Sequence, residues 1–581
     1  MRIGLARRVA GIIGQTGRRP VATPPPPPEI RFTGRPFVCG AIGRWDPQAL
    51  ERLRQAAPSG LSEVHTSRSV TLWASGPVAS WRAGQRQGRY WSPLAAGATP
   101  DTWRSAAERR LAAGLAIEPD GTAILHTCGL GLQELYLRQF DGGWYFAGRI
   151  DPLLALDAGP LHPDLTAWAG ILAVGSPIGD ATPFTEVRRA TAGTAWRADP
   201  ARAGRIDRLS FEPAWLAVEP TAPPTAGELV ELIAGQLPAA GEPLSIPLSG
   251  GWDSRLLAVL ACRSGAAGRT AWTTSTDDGW EHDLRLAGPV ADALGLDHRL
   301  VVAGPEAWLA EREPAAFRLQ WQTWLHTWLL PLSRLLHDAG RPVLDGLAGD
   351  LLLWGSSLAG AATGEQDPER RRLALLAGLS GNRLTAVRTL APATAGWMHD
   401  AVRAAFLAAT GHLAGHPEAV TLGQLVTRTT RAIGLSPTWL FGPEVPVQLP
   451  FLHPDVLTAA LRVPAGRKAD GAFYRELLEQ ACGRPVASLP STRDRLPPVL
   501  PALRRQTSTA ALAALRDAVG TDPEVRALLS PSLAAAVADP GDRQWAQRPA
   551  LLATAQWAEL LVRWRRRYAD RLVWPAGGSP G

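Results

Sequence analysis

At 581 residues the chain is too long for one hydrophobic core, and two or three domains are expected. A composition that is 46% hydrophobic and 19% charged is that of a globular protein and excludes a disordered one. The net charge of +7 is mild for this length, the arginines are scattered, and no run reaches about 18 apolar residues, so neither nucleic-acid binding nor a membrane span is expected.

Residues 1–23 are basic and partly apolar (Arg2, Arg7, Arg8, Arg18, Arg19), with too short an apolar run for a secretory signal. Residues 24–28 are five prolines, a stiff polyproline II spacer, so 1–29 read as a disordered basic extension. Residues 30–215 read as short strands between Gly and Pro turns, clearest at 70–75, 123–127 and 143–149. Cys39 lies in the apolar run 37–43, as a buried strand cysteine would.

Residues 225–240 read as a helix, 243–248 as a short apolar strand and 255–262 as a second helix. Between strand and helix stand Ser249, Gly250, Gly251, Trp252, Asp253 and Ser254. Such a turn is an anion cradle: its glycines let backbone N–H groups face one point, and the helix N-terminus adds partial positive charge. Ser249 and Ser254 can donate to phosphate. Asp253 repels a bare phosphate, so a cation between the two is implied, most simply Mg²⁺. The next αβ unit is a strand at 269–275, a helix to Leu294 and a strand to Val302. Asp283, at the start of that helix, reads as an N-cap, with a second reading given below by resemblance.

Trp321, Trp324 and Trp328 follow i, i+3, i+7 spacing and predict one helix face, packed in the core or walling an acceptor pocket. Residues 341–350 repeat the earlier pattern: an apolar strand, then Asp345, Gly346, Leu347, Ala348, Gly349 and Asp350. Asp253 and Asp350 would converge on one metal at the C-terminal edge of a parallel sheet, with Asp345 ordering the turn. Residues 358–430 are helical with breaks, and Arg428 and Arg431 read as phosphate contacts or surface charge. Lys468 opens a further helical stretch, Arg493 lies in the loop 489–495, and 557–568 form an amphipathic packing helix with a basic face. Cys39, Cys128, Cys262 and Cys482 are far apart, with no metal spacing or disulfide framework, which fits a reducing, cytoplasmic compartment.

The Ser-Gly-Gly-x-Asp-Ser run resembles the pyrophosphate loop of the ATP pyrophosphatases, which cleave ATP between the α- and β-phosphates. The segments 344–350 and 445–453 resemble the second acidic loop and the Val-Pro-Phe-Leu-Asp segment of the asparagine synthetase-like branch. Similarity covers 216–500, with a weaker match over 30–215, where 37–43 and 141–154 echo the family's glutaminase domain. The resemblance implies an α/β chain. Residues 30–215 would form a degenerate glutaminase-like α+β domain of the N-terminal-nucleophile type. Residues 216–581 would form a doubly wound ATP-pyrophosphatase synthetase domain. Those glutaminases use a Cys at the mature N-terminus, whose free amine is the base; Cys39 is internal, so the domain reads as a scaffold.

The resemblance also implies that ATP and Mg²⁺ are used. Ser249, Gly250, Gly251, Asp253, Ser254, Gly346 and Asp283 would hold the nucleotide, and Asp253 and Asp350 the metal. The family places a catalytic Lys in the loop matching 489–495. Here that loop has no Lys; Arg493 is the nearest equivalent and Lys468 its rival. Asparagine synthetases carry an acid after the first glycine of the second loop, and β-lactam synthetases a Tyr; here that position is Leu347. Leu347 supplies neither group and speaks against both readings, while the Trp-rich helices, the Ser-Gly-Gly-Trp-Asp-Ser-Arg loop and the missing glutaminase Cys resemble lasso peptide cyclases. The expected substrate is then a precursor core peptide, with a leader peptidase and a leader-binding protein as partners. The alternative is an asparagine synthase or another amide synthetase of the family.

Overall fold

The computed structural model describes residues 30–575 apart from 77, 92–101, 110–111, 133, 203–204, 218–221, 275–281, 303–304, 356–361, 363, 382, 384–388 and 495–506. The expected extension 1–29 lies outside the described residues.

The first half is built from β1 (Phe37–Ile42), β2 (Ser62–Thr66), β3 (Val70–Ser75), β4 (Ala79–Ala83), β5 (Arg86–Trp91), β6 (Ala113–Ile117), β7 (Ala123–His126), β8 (Tyr136–Phe140), β9 (Gly143–Ala147), β10 (Arg188–Arg189), β11 (Thr194–Ala198) and β12 (Ile206–Ser210). They form two antiparallel sheets, ordered β10-β8-β9-β1-β3-β2 and β12-β11-β7-β6-β5-β4. The period of two in a strand decides the layering. Val38 and Ile42 of β1 join Leu72 of β3, Leu115 of β6 and Leu125 of β7 in a core between the sheets. Phe37, Cys39 and Ala41, on the opposite face, pack toward helix α1 (Pro47–Ala56). That helix is started by Asp46, whose carboxylate accepts from the Gln48 and Ala49 N–H groups, with Pro47 in its first turn. The strands expected over 30–215 are thus present, in a sheet-rich first half.

The second half holds one parallel sheet: β13 (Pro243–Pro247), β14 (Ala267–Thr274), β15 (Asp297–Val301), β16 (Val343–Leu344) and β17 (Val447–Gln448). Its order is β15-β14-β13-β16-β17, so chain order runs outward one way and then the other. The reversal lies between β13 and β16, and in such sheets the crevice beyond the carboxyl ends of the strands flanking the reversal receives ligands. The two motif loops leave the sheet there.

The halves share one continuous core. Helix α2 (Leu165–Val174) of the first half meets α7 (Pro549–Arg567), the C-terminal helix. Trp557 Nε1 donates to the Trp168 carbonyl at 2.9 Å, and the Trp168 and Trp564 rings lie 5.1 Å apart. The basic helix expected at 557–568 is therefore a packing helix that closes back on the first half. Among the described residues no helix is long and apolar enough to cross a membrane.

Two expectations are corrected here. Trp321, Trp324 and Trp328 do not share a helix face. The helix Pro305–Arg318 stops, and Gln320 and Trp321 adopt φ of 56° and 62°, which ends helical geometry. The chain turns because Gln320 and Gln322 donate to the buried Tyr136 hydroxyl, at 3.2 and 2.6 Å. Arg428 and Arg431 are neither phosphate contacts nor surface charge. Arg428 Nη1 donates to the Val174 carbonyl at 3.0 Å, and buried Arg431 pairs with Glu134 at 3.2 Å. Both tie the second half to the first.

Candidate active site

The loop between β13 and α3 (Trp252–Arg263) is held by its own side chains. The Ser249 N–H donates to Ser254 Oγ at 3.0 Å, the two serine hydroxyls lie 2.9 Å apart, and the Gly251 N–H donates to Ser249 Oγ at 3.1 Å. Among the described residues no side chain caps α3, which leaves its first N–H groups open at the helix start. Gly250 is enclosed: a Cβ there would stand 2.7 Å from Leu286 Cβ. Asp283, in the first turn of α4 (His282–Ala293), accepts the Gly250 N–H at 2.7 Å. Of the two readings of Asp283, this contact brings it to the loop.

The second acidic loop lies against the first. Asp345 Oδ1 accepts the Leu347 N–H at 2.9 Å and closes the turn, and burial raises Asp345 to about 6. The Asp350 N–H, in the short helix α5 (Gly349–Leu353), donates to Asp253 Oδ2 at 3.0 Å. Only glycine admits this approach. A Cβ on Gly346 would lie 2.9 Å from Asp253 Cβ, and one on Gly349 would lie 2.7 Å from Asp253 Cγ. Leu347 itself is buried in the core.

Asp253 is raised to about 8, by burial first and then by the neighbouring Asp350 carboxylate; hydrogen bonds from Tyr474 and the Asp350 N–H oppose the rise. A carboxyl in that state is short of positive charge, which a cation between the two acids would supply. The donor set, two carboxylates, suits a hard ion such as Mg²⁺, whose remaining positions are ordinarily filled by water and phosphate oxygen. Among the described residues no group of three or more His, Cys, Asp and Glu side chains is placed to hold a metal ion, so the protein would supply only these two carboxylates.

Arg493 and Lys468 separate clearly. Arg493 Nη2 lies 3.1 Å from Asp350 Oδ2, and its guanidinium stacks 4.4 Å from the Trp354 ring centroid. Lys468 is buried, with Nζ 3.5 Å from Glu418 Oε2. Arg493 is in the crevice; Lys468 is turned to another helix.

Four contributors were not legible as such. Tyr474, in α6 (Ala472–Ala487), donates from its hydroxyl to Asp253 Oδ1 at 2.6 Å. The Trp252 and Trp354 rings lie 5.1 Å apart at a tilt of 47°, and Arg493 sits over the Trp354 ring. Arg255 is fully buried, and its guanidinium donates to the carbonyls of Leu489 and Pro490, each at 2.7 Å. With the Thr492 N–H donating to the Gly250 carbonyl at 3.1 Å, it fastens the Arg493 loop to the glycine loop. The available signal was the Arg directly after Ser254, a charge amid an apolar helix.

Cys39 lies outside this site, mid-strand between β3 and β9. Burial pushes its thiol up to about 12, which leaves no thiolate at neutral pH.

Comparison with known families matches residues 226–557 to the model described as asparagine synthase, over half of the chain and all of the crevice. Comparison with curated proteins gives no match.

Proposed function

Given that the chain belongs to the asparagine synthase family, an ATP-dependent amide-forming family, we propose that it is an AMP-forming macrolactam synthetase. In this reading it activates an Asp or Glu side chain of a lasso precursor peptide and closes an isopeptide bond with the peptide's N-terminal amine. One observation carries it. The two acidic loops meet at Asp253 and Asp350, as adenylation requires, while the position after Gly346 is the buried Leu347 rather than an acid or Tyr.

The chemistry follows from the residues present. Ser249, Gly250, Gly251, Ser254 and the start of α3 face the pyrophosphate portion of ATP, with Gly346 admitting the second loop beside them. Asp253 and Asp350 would hold Mg²⁺, which when bound neutralises phosphate charge and polarises the α-phosphoryl group. Tyr474 orients Asp253. Asp283 acts on the loop, because a carboxylate serves better as an acceptor for Gly250 than beside a triphosphate. The substrate carboxylate oxygen attacks the α-phosphorus, and the bond to the bridging β-phosphate oxygen breaks. Arg493 stabilises the charge that gathers on pyrophosphate. The peptide amine then attacks the acyl carbon, AMP leaves, and the amine proton passes to solvent. A peptide α-amine, with pKa near about 7.7–8.0, is partly neutral at cellular pH and needs no dedicated base. The partners implied are the core peptide, a leader peptidase and a leader-binding protein.

The test is mass spectrometry of a candidate peptide with ATP and Mg²⁺. Loss of one water, accompanied by AMP, supports the reading, and acetylation of the N-terminus should block the ring while AMP release continues by hydrolysis. Asparagine formed from aspartate and ammonia, with every peptide untouched, would replace it with the asparagine synthase reading.

A further inference from the structure

A cavity of about 460 Å³ lies between the two halves and includes none of the crevice residues. Its size is that of a small-molecule or peptide-end site. Arg189, Phe211, Glu212 and Trp215 line it from the first half; Ala409 and His412 line it from the second.

The charge around it does not balance. Arg189 is buried; among the described residues the one hydrogen bond of its side chain runs from Nη2 to the Gly131 carbonyl, and its Nε lies 3.5 Å from Glu134 Oε1. The same carboxylate oxygen faces buried Arg431 at 3.2 Å. The other oxygen of Glu134 is taken by the Tyr136 hydroxyl and by the Gln320 and Gln322 amides. Two buried guanidiniums therefore share one carboxylate, and the remaining partners are neutral. A buried positive surplus is costly unless an anion meets it. Trp215 adds a second donor: it is buried, and its indole N–H has no acceptor among the described residues. Phe211, Ala409 and the Trp215 ring supply an apolar wall beside these donors. Glu212 is exposed, at the mouth.

We propose that this cavity binds a carboxylate attached to an apolar or aromatic residue, with Arg189 and the Trp215 N–H as donors. Two sources carry that chemistry: the C-terminus of a peptide and a free amino acid. The inference does not depend on which amide the crevice makes.

Calorimetry on the full chain tests it with N-acetyl-Gly-Gly-Phe, free phenylalanine and the C-terminal amide of each. At least one carboxylate should bind about tenfold or more tighter than its amide. Preference for the acetylated peptide identifies a peptide end. Preference for phenylalanine, weakened by Glu212→Gln, identifies a free amino acid whose ammonium meets Glu212. Ala409→Trp should fill the cavity and abolish binding, and Arg189→Gln should weaken it about tenfold. Trp215→Phe keeps the ring and removes the donor, so it should weaken binding several-fold even if Arg189→Gln does not fold. Amides that bind as well as carboxylates, Ala409→Trp without effect, or no binding at millimolar concentration would overturn the proposal.

Discussion

The Asp253 carboxylate accepts the Asp350 backbone N–H at 3.0 Å, so two acidic loops separated by nearly a hundred residues meet in one hydrogen bond. The contact fixes the spacing of both carboxyl groups before any ligand arrives. It is possible because the chain opposite Asp253 has no side chain at 346 or 349.

Gly349→Ala should show this. The added Cβ would stand 2.7 Å from Asp253 Cγ and 2.8 Å from Phe451 Cε2, so Asp253 must move. Pyrophosphate release should fall by about 10²-fold, the scale of a misplaced catalytic group. Gly364→Ala, where nothing lies within 4 Å among the described residues, should leave the rate unchanged. Equal rates for both variants would contradict the geometry.

Arg493 and Lys468 should part by readout. Arg493→Ala should lower the adenylation rate by about 10²–10³-fold with little change in melting temperature. Lys468→Met strips the buried pair with Glu418 of one partner and should cost about 3 kcal/mol of stability, with turnover of the folded protein little changed. A rate defect in Lys468→Met as deep as that of Arg493→Ala would return Lys468 to the site.

Much of the crevice was legible in the sequence because its demands are local. The glycines at 250 and 251 and the acids at 253 and 350 stand in short loops, and each loop directly follows an apolar strand. The parallel sheet was readable for the same reason. What could not be read depends on partners far away in the chain. Tyr474 matters through Asp253, Arg255 through carbonyls at 489 and 490, and Arg431 through Glu134. The tryptophans at 321–328 have helical spacing, yet the buried amide bonds of Gln320 and Gln322 to Tyr136 override it.

The first half should contribute no nitrogen. With its thiol raised to about 12, Cys39 should resist alkylation by iodoacetamide at pH 8 in the native protein and react in urea. Glutamine should not be hydrolysed. Glutamate production that disappears in Cys39→Ala would refute the scaffold reading.

Acid stability carries a further signature. His126, the last residue of β7, is lowered to about 4 by burial. Between pH 6.5 and 4 the unfolded chain binds a proton there that the folded chain does not, so this histidine lowers stability as pH falls. Buried Asp345 and Glu444, raised to about 6 and about 7, act with the opposite sign, which makes the difference between variants the quantity to read. Relative to wild type, His126→Gln should gain about 1.4 kcal/mol per pH unit as pH falls through that window. Parallel stability curves from urea titrations at pH 7, 6 and 5 would contradict a neutral buried His126.

The most direct measurement is exchange of labelled pyrophosphate into ATP, made with wild type, Asp253→Asn and Asp350→Asn in the presence of a carboxylate-bearing peptide. Wild type should exchange label and yield AMP rather than ADP. Each Asn variant should lose exchange while keeping wild-type circular dichroism. ADP and phosphate as products, or exchange at wild-type rate in either variant, would contradict an adenylating site built on Asp253 and Asp350.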